Sequence, residues 1–199
     1  MDLPEGFYGI IDYRFGCIES AKKLIDFGVK IIQYRCKNKT DRELLKEAKI
    51  IRELTHKNGV MLIVDDRVDI ALIVGADGVH VGDKDIPPCE IRKIVPEGFI
   101  IGYSTHSVED VKNAKCCDYI GVGPVFETTT KDKPHPAIGI KTAEEMVKIS
   151  KYPAYLIGGI ALENIHLIKG IGARGFVSVR EVLKNDFEHF KEMLRIWHS

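Results

Sequence analysis

Val60-Met61-Leu62-Ile63-Val64-Asp65-Asp66 is an unbroken apolar run that stops on two carboxylates. Aliphatic residues without polar alternation read as a strand buried on both faces, the situation of a parallel sheet covered on its two sides. Working outward, similar short runs occupy 7–12, 29–35, 78–81, 100–104, 119–123, 154–157 and 175–179. Amphipathic stretches separate them. Residues 18–27 form a helical pattern stopped by Gly28. Thr40 stands three before Glu43, a capping box for a helix reaching about 57. Ser107 stands likewise before Asp110, and Thr142 before Glu145, where it should open a helix ending near 151. Residues 162–169 and 186–196 complete the set, with 66–74 a short helix or turn and 91–94 weaker. Eight strands alternating with eight helical segments predict a single (β/α)8 barrel spanning 1–199 as one domain, with a doubly wound open sheet as the alternative.

Composition narrows the function. The chain has 199 residues, 29 Lys plus Arg against 29 Asp plus Glu, so it gives no electrostatic reason to expect a nucleic-acid or membrane partner. It shows no signal peptide and no membrane-length apolar run, and reads as cytoplasmic. Oligomeric state is not legible. The five cysteines are odd in number and contain no C-x-x-C, so neither a disulfide framework nor a zinc site is expected; Cys116 and Cys117 read as small apolar residues near a strand start.

In a barrel the active site lies at the C-terminal strand ends. That rule collects Gln33, Arg35 and Lys37; Asp65 and Asp66; His80 and Asp85; Ser104 and His106; Thr128, Thr130 and Lys131; Gly158 and Gly159; and Val179 with Arg180. Arg35, Lys37 and Lys131 suit an anion such as phosphate. Asp66 and Asp85 follow neighbouring strands and could share Mg2+, which takes one or two carboxylates plus substrate phosphate oxygens. Gly158-Gly159 could bring backbone N–H groups and a following helix N-terminus to a second phosphate. Each feature has a plainer reading: Asp66 as a helix cap, Arg35 and Lys37 in surface ion pairs, His80 as a hydrogen-bonded structural residue, Gly-Gly as a turn. Their shared location at one end of the strands favours a site for phosphorylated small molecules.

Several segments together resemble thiamine phosphate synthases: Gln33-x-Arg35-x-Lys37, Asp66-Arg67-Val68-Asp69, the stretch from Gly75 through His80 and Gly82 to Asp85, Gly102-x-Ser104-Thr105-His106, residues 118–126, Thr128-x-Thr130-Lys131, and Ile157-Gly158-Gly159-Ile160 with Asn164. The resemblance runs from about residue 7 to 182. It implies a (β/α)8 barrel that condenses hydroxymethylpyrimidine diphosphate with hydroxyethylthiazole phosphate. Arg35, Lys37 and Lys131 would hold the diphosphate, Asp66 and Asp85 would bind Mg2+, and Gln33 and Ser104 would contact diphosphate or pyrimidine. Thr128, Thr130, Gly159 and the backbone near Val179-Arg180 would hold the thiazole phosphate. Three departures stand out: Asp65 where the family usually has Asn, Arg180 where it has Ser, and Asp83 where an amide is common. The related TenI thiazole tautomerase branch carries a catalytic His where this chain has Pro124; that activity and a non-catalytic thiazole-phosphate-binding barrel are the alternatives.

Overall fold

The computed structural model describes residues 2–36, 38–128 and 135–199. Strands β1 (Gly6–Phe7), β2 (Gly9–Asp12), β3 (Ile31–Arg35), β4 (Met61–Asp65), β5 (Gly78–Val81), β6 (Ile100–Thr105), β7 (Tyr119–Val122), β8 (Ala154–Ile157) and β9 (Gly175–Val177) form one parallel sheet. β1 pairs with β9, and β2 pairs with β3. The segment read as one strand, 7–12, thus changes partner at Tyr8, whose N–H still reaches the Phe176 carbonyl at 3.0 Å. That change of partner closes the sheet into the expected barrel.

The helices are α1 (Cys17–Asp26), α2 (Asp41–Lys57), α3 (Val68–Val74), α4 (Pro88–Ile91), α5 (Val108–Asn113), α6 (Gly139–Ile149), α7 (Val179–Lys184) and α8 (Phe187–Trp197). The Thr40–Glu43 capping box forms reciprocally at the start of α2. Ser107 caps α5 through the Asp110 N–H. Three expectations need correction. Thr142 lies inside α6, which begins at Gly139 without a side-chain cap. Residues 162–169 hold only a 3-10 turn, Ile165–Leu167, tied down by Asn164. Residues after 177 turn helical at once, so Val179 opens α7 instead of ending a strand. Among the described residues no helix is long and apolar enough to cross a membrane.

Strand side chains alternate between two cores. Ile11, Ile32, Leu62, Val64, Val79, Ile101, Ile120 and Leu156 pack outward against the helices. Tyr8, Ile10, Ile31, Met61, Ile63, Ile100, Tyr119, Tyr155 and Val177 fill the barrel. Continuing the inward parity toward the C-terminal ends gives Asp12, Gln33, Arg35, Asp65, His80 and Ser104. The same period therefore builds an apolar floor and a polar mouth.

A disulfide joins Cys89 and Cys116, contrary to expectation. Pairing depends on tertiary proximity, here 5.0 Å between Cα atoms, and not on a spacing motif. Cys117 is buried as expected, while Cys116 is covalently bridged.

Candidate active site

A cavity of about 470 Å³ opens at the C-terminal ends of the strands. Gln33, Arg35, Ser104, Thr128, Gly158, Gly159, Val179 and Arg180 all line it. Asp65 lies behind two of these, contacting Gln33 and Arg35. Asp66 and Asp85 are not on its wall. Lys37, Thr130 and Lys131 lie outside the described residues.

One wall is a network of alternating charge. Asp12 is fully buried, and its carboxylate accepts from Arg14 at 2.7 and 2.9 Å and from Arg35 at 3.2 Å. Asp12 and Arg35 are register partners on β2 and β3, which places the pair directly across the sheet. Arg35 also lies 3.5 Å from Asp65, whose other oxygen accepts from the Gln33 amide at 2.5 Å. Burial works against ionisation of Asp12, but the hydrogen bonds and charges of Arg14 and Arg35 outweigh it and hold the carboxyl below its ordinary range. The extra carboxylate at 65 is therefore an integral partner of Arg35 in this wall.

The floor is a chain of hydrogen-bonded side chains. Ser104 Oγ and His80 Nε2 are 2.9 Å apart, His80 Nδ1 and the Tyr119 hydroxyl 3.0 Å, and the Tyr119 and Tyr8 hydroxyls 2.7 Å. Burial pushes the pKa of both phenols well above the ordinary tyrosine range, so they stay protonated. Gly102 makes this chain possible: a Cβ there would stand 2.2 Å from Tyr119 Cζ and 2.4 Å from His80 Nδ1. His80 thus has the hydrogen-bonded role of the plainer reading and also faces the cavity.

The opposite wall carries Gly158 and Gly159 with φ of 100° and 64°. Side chains are excluded: added Cβ atoms would meet Pro124 Cβ at 2.3 Å and the Glu127 carbonyl oxygen at 2.4 Å. Val125 and Phe126 N–H groups bond the Ile157 and Gly158 carbonyls at 2.8 and 3.0 Å, and Asn164 donates to the Gly159 carbonyl at 2.8 Å. The helix start on this wall is that of α7, not a helix directly after Gly159. Beside it, His106 donates from Nδ1 to the Gly123 carbonyl and stacks on His135 at 3.9 Å between ring centres.

Asp66 and Asp85 follow the neighbouring strands β4 and β5. Asp66 has φ of 60°, and its N–H bonds the His80 carbonyl at 2.8 Å. The Asp85 carboxylate accepts from the Gly82 N–H at 2.8 Å, which fixes its orientation.

Asp12, Tyr8 and Tyr119 escaped the sequence reading. Asp12 obeys the strand-end rule applied to the other candidates. The tyrosines gave no signal, because their partners come from strands remote in sequence.

Residues 7–182 match the family model described as thiamine monophosphate synthase. The thiamine-phosphate synthase of Caldicellulosiruptor saccharolyticus is 44% identical over 196 residues, covering 96% of this chain and 88% of that protein. That of Caldivirga maquilingensis is 39% identical, covering 99% and 98%. The solved thiamine phosphate pyrophosphorylase from Pyrococcus furiosus superposes with a TM-score of 0.87 at 33% identity, covering 97% of this chain and 95% of that one. The chain belongs to the thiamine monophosphate synthase family.

Proposed function

We propose that this chain condenses hydroxymethylpyrimidine diphosphate with hydroxyethylthiazole phosphate, releasing diphosphate and thiamine phosphate. The observation that carries this reading is a cavity with two anion-suited walls. Arg35 stands on one, and Gly158-Gly159 with Val179 and Arg180 stands on the other. Such a mouth suits two phosphorylated substrates held with their reacting carbons between the walls.

The bond from the pyrimidine methylene to diphosphate breaks, and its electron pair leaves with the diphosphate. The aminopyrimidine ring delocalises the resulting cation, and the thiazole nitrogen donates its lone pair to form the new C–N bond. Negative charge grows on the leaving group, so groups preorganised there lower the barrier. Arg35, fixed by Asp12 and Asp65, does this, joined by Lys37 and Lys131. Gln33 and Ser104 orient the pyrimidine diphosphate, with Ser104 aimed by His80. Thr128, Thr130, Gly158, Gly159 and the start of α7 hold the thiazole phosphate. The oxygen donors of Asp66 and Asp85 fit Mg2+, which when bound would neutralise charge on the diphosphate. No protein nucleophile or base is needed, and Pro124 supplies neither. The substrates and product are small and soluble, which fits a cytoplasmic enzyme.

The test is purified protein with both substrates and Mg2+, scored for thiamine phosphate. Product formation that drops sharply in Asp66→Ala and Asp85→Ala is expected. Isomerisation of the thiazole substrate without thiamine phosphate would refute the assignment and favour the tautomerase.

A further inference from the structure

Away from the cavity, three ligand-type side chains converge. Cys17 opens α1, Cys36 follows β3 directly, and Glu47 lies on α2. Their two Sγ atoms and a Glu47 carboxylate oxygen all lie within 4.8 Å of one another. We propose that Cys17, Cys36 and Glu47 form a site for a thiophilic divalent cation of the Zn2+ class, distinct from the Asp66/Asp85 pair.

The placement of Glu47 is the first argument. The buried stripe of α2 is Leu44, Ala48, Ile51 and Thr55. Glu47 stands between the first two on that stripe, where helical spacing calls for an apolar residue, and its side chain is only 13% exposed. A carboxylate in such a position requires compensation. Tyr34 donates to its Oε2 at 2.7 Å, and Lys39 to its Oε1 at 2.5 Å. Cys17, itself buried, also hydrogen-bonds to it. The carboxylate thus lies beside both sulfurs and is steadied by Tyr34 and Lys39, as metal ligands are by outer partners.

Geometry and charge agree. Zn–S bonds of about 2.3 Å in a tetrahedron put sulfurs about 3.8 Å apart. The cluster needs to contract by about 1 Å at most to reach that figure. Two thiolates and one carboxylate select a borderline-soft ion over Mg2+. Binding releases the two thiol protons to solvent. The ion and its three anionic ligands then carry one net negative charge, which Lys39 balances from the rim. Three protein ligands leave the fourth position for water. The site joins α1 and α2 to the residue between Arg35 and Lys37.

The experiment titrates metal-stripped, reduced protein with Co2+ alone, then with Zn2+. One Co2+ per chain should give near-ultraviolet thiolate charge-transfer absorption, and Zn2+ should remove it. Cys36→Ser should abolish the band. The isosteric Glu47→Gln should weaken Zn2+ binding by more than about tenfold, since even outer partners of ligands matter that much. Cys117→Ser and Cys89→Ser/Cys116→Ser should leave the band intact, with circular dichroism confirming the fold of every variant. Absence of the band in the unaltered protein, its survival in Cys36→Ser, its loss with the other cysteines, or unchanged Zn2+ affinity in Glu47→Gln would each overturn the site. So would a Cys17–Cys36 disulfide in peptide maps of protein isolated with its thiols alkylated, because an oxidised pair holds no ion.

Discussion

Arg35 is useful to an anion only because its guanidinium is already aimed. Asp12 and Asp65 do the aiming, and with Arg14 they make a set of two cations and two anions with no net charge. Replacing Asp65 by Asn leaves an amide oxygen to accept from Gln33 and turns the set net positive. Two unit charges about 4 Å apart in water-like surroundings interact by about 1 kcal/mol. Asp65→Asn should therefore tighten pyrimidine-diphosphate binding by about fivefold in a calorimetric titration; an unchanged or weaker Kd would show that aiming outweighs charge. Asp12 carries a different consequence. Its carboxyl is depressed in the folded protein by Arg14 and Arg35. Its stabilising effect is complete above the unfolded value of about 3.9 and is lost as pH falls through the lower folded value. Asp12→Asn should cost roughly 3 kcal/mol in urea unfolding at neutral pH, since it leaves two arginines short of a partner. The same variant should lose less further stability below pH 4 than the unaltered protein. Parallel acid-unfolding curves for the two would refute this.

At the level of elements, strands were easier to read than helix ends. An apolar run such as 60–64 is its own evidence, because burial on both faces leaves no polar residue in it. Helix starts are legible where a side chain makes the cap, as at Thr40 and Ser107. The start of α6 uses no side chain, so the Thr142-x-x-Glu145 pattern misplaced the cap, which is Ile138, by four residues. The shortening of 162–169 to one 3-10 turn reflects Asn164 bonding back to Ala161 and Gly159. Gly102 on β6 shows an element carrying the site's chemistry. It reads as a strand weakness, yet its missing side chain admits Tyr119 and His80. Gly102→Ala should retain the barrel, separate Tyr119 from His80, and leave Ser104 without its support. Overpacking of this kind costs about 1–3 kcal/mol. The expected signature is a kcat loss larger than any KM change, with unaltered far-ultraviolet circular dichroism. Full kcat in this variant would mean that the hydroxyl chain does not matter to turnover.

For the whole molecule, the barrel was readable from the alternation of apolar runs with amphipathic stretches, and part of the cavity wall from one rule: polar residues collected at the C-terminal strand ends. What that rule omits are contacts fixed only by closure of the barrel. Tyr8 and Tyr119 are 111 residues apart and meet because the first strand changes partner. The Cys89–Cys116 bridge is of the same kind, separated by 27 residues with no motif to announce it. It ties α4 to the turn before β7 and touches none of the cavity wall. Closing a loop of that length restricts the unfolded chain by about 3.5 kcal/mol. For a domain of this size that corresponds to a Tm difference on the order of 10 °C. Cys116 sits at a φ of 59°, and Ser in its place would retain that left-handed backbone. The double variant Cys89→Ser/Cys116→Ser therefore removes the bridge without relieving the turn. Scanning calorimetry should show its Tm lowered by that amount, while the unaltered protein treated with reductant falls to the same value. Turnover below both transitions should be unchanged. Equal Tm values with and without the bridge would mean that the unfolded chain is already held close at this point, and that the barrel stands without the link.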